Sequence, residues 1–328
     1  RNFLAYAGDH WKNPTYVLLL GDGHYDYKNN LKNNVNRNLI IPYQTDSHSE
    51  YDTRTTDDWF TYTKGTSNGM QMAIGRIPVQ TIDEAQAVIE KIIAYETKPD
   101  YGDWRKTVTV VADDELVSGG TGNETIHTMQ AETLAEQYVP SVLDVKKVYL
   151  TEFPAVRTAS VSGVTKPLAA EALMDQINRG SLLLNFIGHG NEDQWTHENV
   201  LYGPTDLEKI QNGFKTAWWV AATCEFAYWD LPDKQSLAEK VLSAQGRGAL
   251  GLVSSARLAY SSPNASFNYN FYQQLFKDYD KTGFTQRIGD AVMMAKKSST
   301  FRVNSEKYGI FGDPCMRLGA PRYRAVID

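Results

Sequence analysis

Two residues of the sequence have side chains that could together carry out covalent chemistry on a carbonyl group. His189 lies between Gly188 and Gly190 after the apolar run SLLLNFI, and Cys224 follows a second apolar run, WWVAAT. A thiol is only partly ionised near neutral pH, and a neighbouring imidazole can generate the thiolate or protonate a leaving amine. If the two runs are neighbouring parallel strands, both side chains emerge at the same edge of the sheet. The pattern predicts a cysteine nucleophile with a histidine partner.

The glycines around His189 suit the same chemistry. Gly190 lets a substrate backbone approach closely, and its N–H together with that of Cys224 could stabilise an oxyanion. A structural interpretation stays open, because a cysteine that ends an apolar strand is usually a small core residue and a strand-end histidine is often a polar cap. Acidic residues follow both positions, among them Glu192 and Glu225, and this setting favours the catalytic interpretation.

The elements that position these residues follow from the hydrophobic pattern. Short, uniformly apolar runs indicate strands covered on both faces, whereas longer amphipathic stretches between them indicate helices. The predicted strands cover residues 16–20, 72–77, 107–112, 182–187, 218–223 and 248–254. The predicted helices cover residues 81–96, 123–138, 168–179, 235–245, 266–277 and 285–297. Their alternation predicts an α/β fold with a mostly parallel sheet and helices on both sides.

The helix at 81–96 has the clearest signals. Thr81 and Glu84 have the spacing of a capping box, which satisfies free N–H groups at a helix start. Apolar residues recur there at helical spacing and predict the buried face. They are Ile82, Ala85, Ile89, Ile92 and Ile93.

The composition excludes several classes of protein. The formal net charge is −6 and no face is dense in lysine and arginine, which argues against binding a nucleic-acid backbone. No apolar run reaches the ~20 residues that a membrane-spanning helix needs. With only Cys224 and Cys315, a disulfide scaffold and a multi-cysteine metal site are excluded, although the two could pair with each other.

Eight motifs occur together along the chain: LLLGDGHYD, TTDDWF, AIGRIPVQTIDEAQAVIEKIIAYE, GDWRKTVTVVADDE, GHGNEDQWTHEN, TCEFAYWD, GALGLVSSARLAYSSPN and FGDPCMRL. They resemble the gingipain-type cysteine peptidases, clan CD enzymes related in fold to the caspases. The resemblance implies a caspase/gingipain-like α/β/α sandwich with mostly parallel sheets and two packed subdomains. The boundary is predicted in the Pro-, Gly- and charge-rich segment 96–106. We expect an N-terminal α/β subdomain at 1–100, a catalytic α/β subdomain at 101–320, and the start of a following β-sandwich domain at 321–328.

The resemblance also implies roles for individual residues. Cys224 matches the family's nucleophile, His189 its catalytic histidine, and Gly190 the glycine whose N–H helps to line the oxyanion hole. The family has a further acid beside the histidine. Asp22 is a candidate for it because it directly follows a predicted strand, and a solvated strand-end aspartate is the alternative.

Four residues are candidates for contact with the substrate. Asp57 or Asp58, in TTDDWF, matches the acid that reads a basic side chain in arginine-specific gingipains. Glu225, beside the proposed nucleophile, is a third candidate. Trp195 could line a substrate cleft, with a position in the core as its alternative.

Three acidic residues could bind a metal ion. Asp113, Asp114 and Glu115 follow a predicted strand and supply the hard oxygen ligands that calcium prefers. Because gingipain-type domains bind calcium, the resemblance implies a structural calcium here, and a solvated acidic loop is the alternative. The chemistry itself requires no cofactor.

The stretches TCEFAYWDLPDKQSLAEKVL and VSSARLAYSSPN are more similar to the sortase of the type IX secretion system than to the gingipains proper. This implies cysteine-dependent acyl transfer that removes the C-terminal signal domain of secreted cargo and attaches the cargo to anionic lipopolysaccharide. It also implies a location at the extracellular face of the bacterial outer membrane, with PorV and other attachment-complex proteins as partners. Two alternatives are a gingipain-like secreted endopeptidase that only hydrolyses and a catalytically silent scaffold that binds cargo.

Overall fold

The structure, a computed structural model, describes residues 1–12, 14–32, 38–45, 47–98, 100–114, 125–158 and 163–322. Its strands in chain order are β1 (Tyr16–Leu20), β2 (Ala73–Ile77), β3 (Thr107–Ala112), β4 (Asp144–Tyr149), β5 (Val156–Arg157), β6 (Val164–Thr165), β7 (Leu183–Ile187), β8 (Gly190–Asn191), β9 (Gln194–Trp195), β10 (Leu201–Tyr202), β11 (Trp218–Ala222), β12 (Gly251–Ser255) and β13 (Tyr308–Phe311). Eight of them form one mixed sheet in the order β1-β2-β13-β12-β11-β7-β3-β4.

The direction of the strands changes once within this sheet. The five strands β12, β11, β7, β3 and β4 run parallel to one another. β13 is antiparallel to β12 and parallel to β2, which in turn is parallel to β1. The sheet is therefore mostly parallel, but β1 and β2 run in the direction opposite to β7 and β11.

Helices connect the strands and flank the sheet. They are α1 (Asn2–His10), α2 (Asp58–Thr61), α3 (Ile82–Thr97), α4 (Ile126–Gln137), α5 (Pro167–Arg179), α6 (Gly203–Asp206), α7 (Leu237–Ser243), α8 (Ser261–Leu275), α9 (Tyr279–Thr282), α10 (Ile288–Lys297) and α11 (Arg302–Ser305). No helix within the described ranges is both long and apolar enough to cross a membrane.

The central strands β3, β7 and β11 are mainly apolar and completely buried because both faces of the sheet are covered there. Successive residues of a strand point to opposite faces, so Trp218 packs into the apolar cluster on one face and Trp219 into that on the other. Val110 and Val111 of β3 divide in the same way. All four side chains are essentially inaccessible to solvent. This packing holds the ends of β3, β7 and β11 in fixed positions.

The predicted α/β fold with a mostly parallel sheet is confirmed. The strands at 16–20 and 107–112 have the predicted bounds, and the four other predicted strands form within a few residues of them. β4 and β13 were not predicted. β4 is half exposed and reads DVKKVY, and β13 has only four residues, so neither carries the uniform apolar signal. The strands on both sides of segment 96–106 share one sheet, and the division into subdomains stays a prediction.

The start of α3 agrees in part with the predicted capping box. The Thr81 hydroxyl accepts the N–H of Glu84 at 3.2 Å, as the box requires. The Glu84 carboxylate instead accepts the N–H of Gln80, one residue earlier, at 2.6 Å. The helix therefore begins where the sequence indicates, but the Glu84 carboxylate caps the N–H of Gln80 and not that of Thr81.

The predicted buried face of α3 is wrong at three of its five positions, whereas Ala85 and Ile92 are half-buried against the core. Ile82, Ile89 and Ile93 are exposed, Ile82 by 78%. The buried residues are Ala87, Val88, Lys91 and Tyr95. The reason is Lys91, whose ammonium group donates hydrogen bonds to backbone carbonyls at and beyond the C-terminal end of α7, among them those of Arg247 and Ala249 at 3.0 Å. A buried ammonium needs such acceptors, so it selects the face that packs inward.

Candidate active site

His189 and Cys224 leave neighbouring strands at the same level. β7 and β11 pair in parallel, and their last partners are Ile187 and Ala222. Each chain continues for two residues, to His189 on β7 and to Cys224 on β11. Because adjacent strands lie about 4.8 Å apart, this register brings the two residues to the same edge of the sheet, one strand apart. Both side chains are half-buried.

The thiol of Cys224 lies against the loop that follows β12. Its Sγ is 3.3 Å from both the backbone N and the backbone O of Ala259, so that it accepts one hydrogen bond and donates another. Burial raises the pKa of Cys224, whereas the N–H of Ala259 and the charge of Lys307 oppose that shift. The resting state is therefore the thiol, and a base is needed to form the thiolate.

Lys307 supports the loop against which Cys224 lies. Its side chain is completely buried, and its ammonium group donates 2.6 Å hydrogen bonds to the carbonyls of Leu258 and Tyr51. Leu258 immediately precedes Ala259, so Lys307 fixes the backbone that contacts the sulfur. Its positive charge also favours the thiolate form of Cys224.

The backbone next to Cys224 is strained. Glu225 has φ of +47°, a left-handed conformation that a non-glycine residue seldom adopts. Its N–H points to the carbonyl of Arg257 at 3.4 Å, and its side chain is half-buried. Burial, followed by repulsion from Glu192, raises the pKa of Glu225. Strain of this kind tends to occur at functional sites, because the surrounding structure must hold it.

Gly190 occupies a position that only glycine can fill. A Cβ there would lie 2.8 Å from Oγ1 of Thr223 and 3.0 Å from the carbonyl oxygen of Gln194. Thr223 immediately precedes Cys224, so the glycine brings the two strand ends into close contact. In the antiparallel pair β8–β9, Gly190 lies opposite Trp195. The residues on either side of this pair are bonded, because the Thr196 N–H donates a 2.9 Å hydrogen bond to the His189 carbonyl. That pair is therefore of the non-hydrogen-bonded kind, and the Gly190 N–H points away from β9.

His189 is held by the end of β3. Its backbone N–H donates a 2.8 Å hydrogen bond to Oδ2 of Asp113, which is completely buried. The imidazole lies between two others: its ring centroid is 5.4 Å from that of buried His127, edge to face, and 5.2 Å from that of exposed His197. The ring position is thus set by packing on both sides.

Asp113 and Asp114 as calcium ligands stay a prediction, and the carboxylate of Asp113 accepts the backbone N–H of the proposed catalytic histidine. The third predicted ligand, Glu115, lies outside the described residues. Asp113 follows β3, which pairs with β7 up to the partners Ala112 and Ile187. The sequence showed that Asp113 follows a strand. It did not show that β3 and β7 are neighbours, and this pairing makes Asp113 the acid next to His189.

Glu198 is a further residue of this region that the sequence did not reveal. It lies in the hairpin loop between β9 and β10 and approaches Asp113 and Asp114. Burial, followed by repulsion from Asp113, raises the pKa of Glu198 to about 7. The Thr196 hydroxyl lies near it but makes no hydrogen bond of ordinary geometry.

The structure does not bring Asp22 to His189. Four strands lie between β1 and β7, and β1 runs in the opposite direction. The carboxylate of Asp22 accepts hydrogen bonds from the N–H of Gly23 at 2.8 Å and from Gln80 at 2.9 Å. Burial raises its pKa to about 7. The prediction that Asp22 accompanies the histidine is therefore corrected, because the reversal of direction at β13 was not foreseen.

Asp57 and Asp58 are both engaged with cations of the fold rather than available to a substrate. Asp57 forms a two-pronged ion pair with buried Arg76, at 2.7 and 2.8 Å. Asp58 is buried and accepts two hydrogen bonds from Lys296 at 2.6 and 2.8 Å. A carboxylate already paired in this way has little attraction left for a substrate cation. The prediction that one of them reads a basic side chain is corrected accordingly.

Trp195 belongs to the core. It is completely buried and stacks on Phe186 of β7 with ring centroids 4.4 Å apart. Trp219 and Phe226 pack against its other sides. Its predicted place in a substrate cleft is therefore wrong, whereas the core alternative holds. By stacking under β7, it supports the strand that carries His189.

Comparisons with known proteins identify the family and the fold. The family model described as peptidase family C25 matches residues 1–319. Among solved structures, the Arg-specific cysteine proteinase gingipain R is similar with a TM-score of 0.72 at 19% sequence identity, over 98% of this chain and 68% of that one. The complex of the pro- and mature domains of Porphyromonas gingivalis RgpB gives a TM-score of 0.71 at 18% identity, over 98% and 70%. These likenesses confirm a gingipain-like fold. No curated protein matches the sequence.

Proposed function

Because the chain belongs to peptidase family C25, we propose that Cys224 and His189 form a catalytic dyad that cleaves a peptide bond and transfers the acyl group to an amine. The observation that supports this most strongly is the shared register of the two residues beyond the last partners of β7 and β11. Two reactive side chains at adjacent strand ends are the arrangement that nucleophile and base require.

The first half of the reaction forms a thioester. The Cys224 thiol transfers its proton to the imidazole of His189, and the sulfur attacks the scissile carbonyl carbon to form a C–S bond. The imidazolium then gives the proton to the leaving nitrogen as the C–N bond breaks. The released product carries the new amine, and the other part of the substrate stays on Cys224 as an acyl group.

The tetrahedral intermediate carries a negative charge on the former carbonyl oxygen. The N–H of Gly190, directed away from β9, and the N–H of Cys224 are the proposed donors to this oxygen. Close packing of Gly190 on Thr223 keeps the two donors near each other. Preorganised donors of this kind stabilise the transition state because they need not reorient during the reaction.

The second half of the reaction regenerates the enzyme. An acceptor amine attacks the thioester, His189 accepts its excess proton, and the C–S bond breaks to return the Cys224 thiol. Water in place of the amine gives a carboxylic acid. The same residues serve both outcomes, so the acceptor decides between transpeptidation and hydrolysis.

Transfer to an amine is the outcome we favour, on the resemblance of residues 223–242 and 253–264 to PorU, the sortase of the type IX secretion system. The substrate would be secreted cargo with a C-terminal signal domain, and the acceptor anionic lipopolysaccharide. The site would then face outward at the bacterial outer membrane, in a complex with PorV and other attachment proteins. Hydrolysis alone is the second candidate, supported by the likeness to gingipain R.

One experiment separates these functions. A reporter fused to a C-terminal signal domain is incubated with the protein and a glycine peptide as acceptor, and the products are identified by mass spectrometry. We expect the reporter joined to the peptide through a new amide, and no product with the Cys224→Ala variant. Only free carboxylate would favour the hydrolytic peptidase. Absence of cleavage by either protein would favour a cargo-binding scaffold.

A further inference from the structure

Glu225 carries a free carboxylate next to the proposed nucleophile. It directly follows Cys224, and its side chain is half-buried. Its backbone N–H donates to Arg257 and its carbonyl accepts from Tyr228. Its carboxylate, in contrast, makes no hydrogen bond or ion pair with any residue in the described ranges. Partly buried charges are usually paired, so a free one indicates a ligand that supplies the missing cation.

A neighbouring acid differs from Glu225 in this respect. Glu192, in the loop after β8, repels Glu225. Its own carboxylate forms an ion pair with Lys234 at 3.0 Å. The negative charge of Glu192 is therefore compensated within the fold, whereas that of Glu225 is not.

Two cations act on Glu225, but both are engaged elsewhere. Arg257 forms a two-pronged ion pair with buried Asp230, at 2.7 and 2.6 Å. The ammonium group of Lys307 donates to two backbone carbonyls. Burial and repulsion between acids raise the pKa of Glu225, and the charges of Arg257 and Lys307 oppose this shift only in part. A further cation would therefore bind favourably here.

The charge of Glu225 also opposes the nucleophile. Burial raises the pKa of Cys224, and the carboxylate of Glu225 adds to this shift. A negative charge beside a thiol disfavours the thiolate, which is the reactive form. A cation bound to Glu225 would remove that opposition. The left-handed φ of +47° at Glu225 holds the residue in this place despite the strain.

Starting from the amine transfer proposed above, on which this rests, we infer that Glu225 binds the ammonium group of the acceptor. The amino group of a peptide is mostly protonated at pH 7, so the acceptor arrives as a cation. Its nitrogen must reach the carbonyl carbon bonded to the sulfur of Cys224, and Glu225 is the next residue. The carboxylate would hold the nitrogen beside the thioester before it attacks.

Two protons leave the acceptor nitrogen during the transfer. The first passes to water when the bound ammonium becomes a neutral amine, and the second passes to His189 after the nitrogen has attacked. The C–N bond forms, the C–S bond breaks, and the imidazolium returns its proton to the sulfur of Cys224. Glu225 binds and orients the acceptor and undergoes no net change.

A basic side chain of the cargo is the other cation that this carboxylate could bind. The charge of a lysine lies at the end of a four-carbon stem, away from the scissile carbonyl. An acid that reads such a side chain is expected at a distance from the nucleophile. Glu225 instead adjoins Cys224, and its charge acts on the sulfur. This position favours the attacking amine.

The test compares a charged and an uncharged acceptor on the same acyl-enzyme. The signal-domain fusion is incubated at pH 7 with triglycine, which carries an ammonium group, or with hydroxylamine, which is uncharged. Mass spectrometry follows the amide and the hydroxamate product. In Glu225→Gln we expect the ratio of the triglycine rate to the hydroxylamine rate to fall at least ~10-fold, because a charge-assisted hydrogen bond is lost. A general loss of activity would lower both rates and leave this ratio unchanged.

Three further variants control for the substitution. Glu171→Gln, at an exposed position on α5, is the matched control and should keep the ratio of the parent. Glu225→Asp retains the charge and should restore part of the ratio. If Glu225→Gln does not fold, Glu225→Asn takes its place, because asparagine adopts a positive φ more readily than most residues.

The possible failures can be told apart. An unchanged ratio in a folded neutral variant would overturn the role of Glu225. If that variant also cleaves a fusion with lysine before the scissile bond more slowly, the carboxylate binds the cargo instead. Transfer to neither acceptor by the parent would overturn the proposed transfer itself.

Discussion

The backbone N–H of His189 donates a 2.8 Å hydrogen bond to the carboxylate of Asp113, so the residue that ends β3 fixes the residue that ends β7. This contact joins the proposed base to the sheet on the side away from Cys224. The accepting carboxylate is completely buried, and a hydrogen bond to a buried carboxylate contributes more than one at the surface. Asp113 is in this sense a positioning residue.

Asp113→Asn should reduce kcat by about 10²-fold and leave KM nearly unchanged. The amide retains an acceptor for the backbone N–H of His189 but loses the negative charge next to the residue that carries the imidazolium. Steady-state kinetics on a peptide substrate measures both constants. Asp103→Asn, at a side chain that is 95% exposed, is the control and should change neither. A KM effect without a kcat effect would contradict the positioning role.

Gly190→Ala should lower kcat/KM by about 10²-fold, because the new methyl group would push the oxyanion donor away from Thr223. Removing the obstructing atoms in Gly190→Ala/Thr223→Ala should restore part of the activity. Gly8→Ala on α1, where the nearest atom to the added Cβ is 3.4 Å away, controls for the substitution itself. Full activity of the single Gly190 variant would remove this glycine from the oxyanion hole.

Asp57→Asn should destabilise the protein by about 2 kcal/mol, because it leaves the buried guanidinium of Arg76 without its counter-charge. Thermal or denaturant unfolding measures this. The ratio of kcat/KM for peptides with arginine or with a neutral residue before the scissile bond should stay the same. A loss of preference for arginine at unchanged stability would instead restore Asp57 as a specificity residue.

The two cysteines should differ in their reaction with iodoacetamide. Burial, with Asp313 adding to it, raises the pKa of Cys315 to about 11. At pH 8 only about 10⁻³ of it is therefore thiolate, and its rate should keep rising with pH up to that value. Burial also raises the pKa of Cys224, but His189 can accept its proton.

We expect Cys224 to be alkylated at least 10-fold faster than Cys315 at pH 7.5, as followed by peptide mass spectrometry. His189→Ala should slow the reaction of Cys224 alone, so Cys315 provides an internal control. Equal rates for the two thiols, or a Cys224 rate independent of His189, would argue against a working dyad.

The parts of the site that the sequence revealed are those that depend on local pattern. The uniformly apolar strands ending at Ile187 and Ala222 were visible because burial on both faces leaves a continuous hydrophobic run. His189 and Cys224 follow directly from those ends. The proposed dyad then depends only on β7 and β11 being neighbours in the sheet.

The errors concern partners that are distant in sequence. Asp57 was expected to face a substrate, but Arg76 on β2 neutralises it. Asp22 was expected near His189, and the short strand β13 reverses the direction of the sheet between them. Glu198 carries no local signal, since it reaches Asp113 and Asp114 only through the hairpin after His189. Strand order and ion pairing depend on the whole fold, which no single motif encodes.

Replacing each cysteine in turn shows whether Cys224 is the nucleophile. Cleavage of a signal-domain fusion is followed by gel and mass spectrometry for Cys224→Ala and Cys315→Ala, with Tm measured for both. Cys224→Ala should lower the cleavage rate by about 10³-fold or more while its Tm stays close to that of the parent, and Cys315→Ala should still cleave. Unchanged cleavage by folded Cys224→Ala would contradict the role of Cys224 as nucleophile.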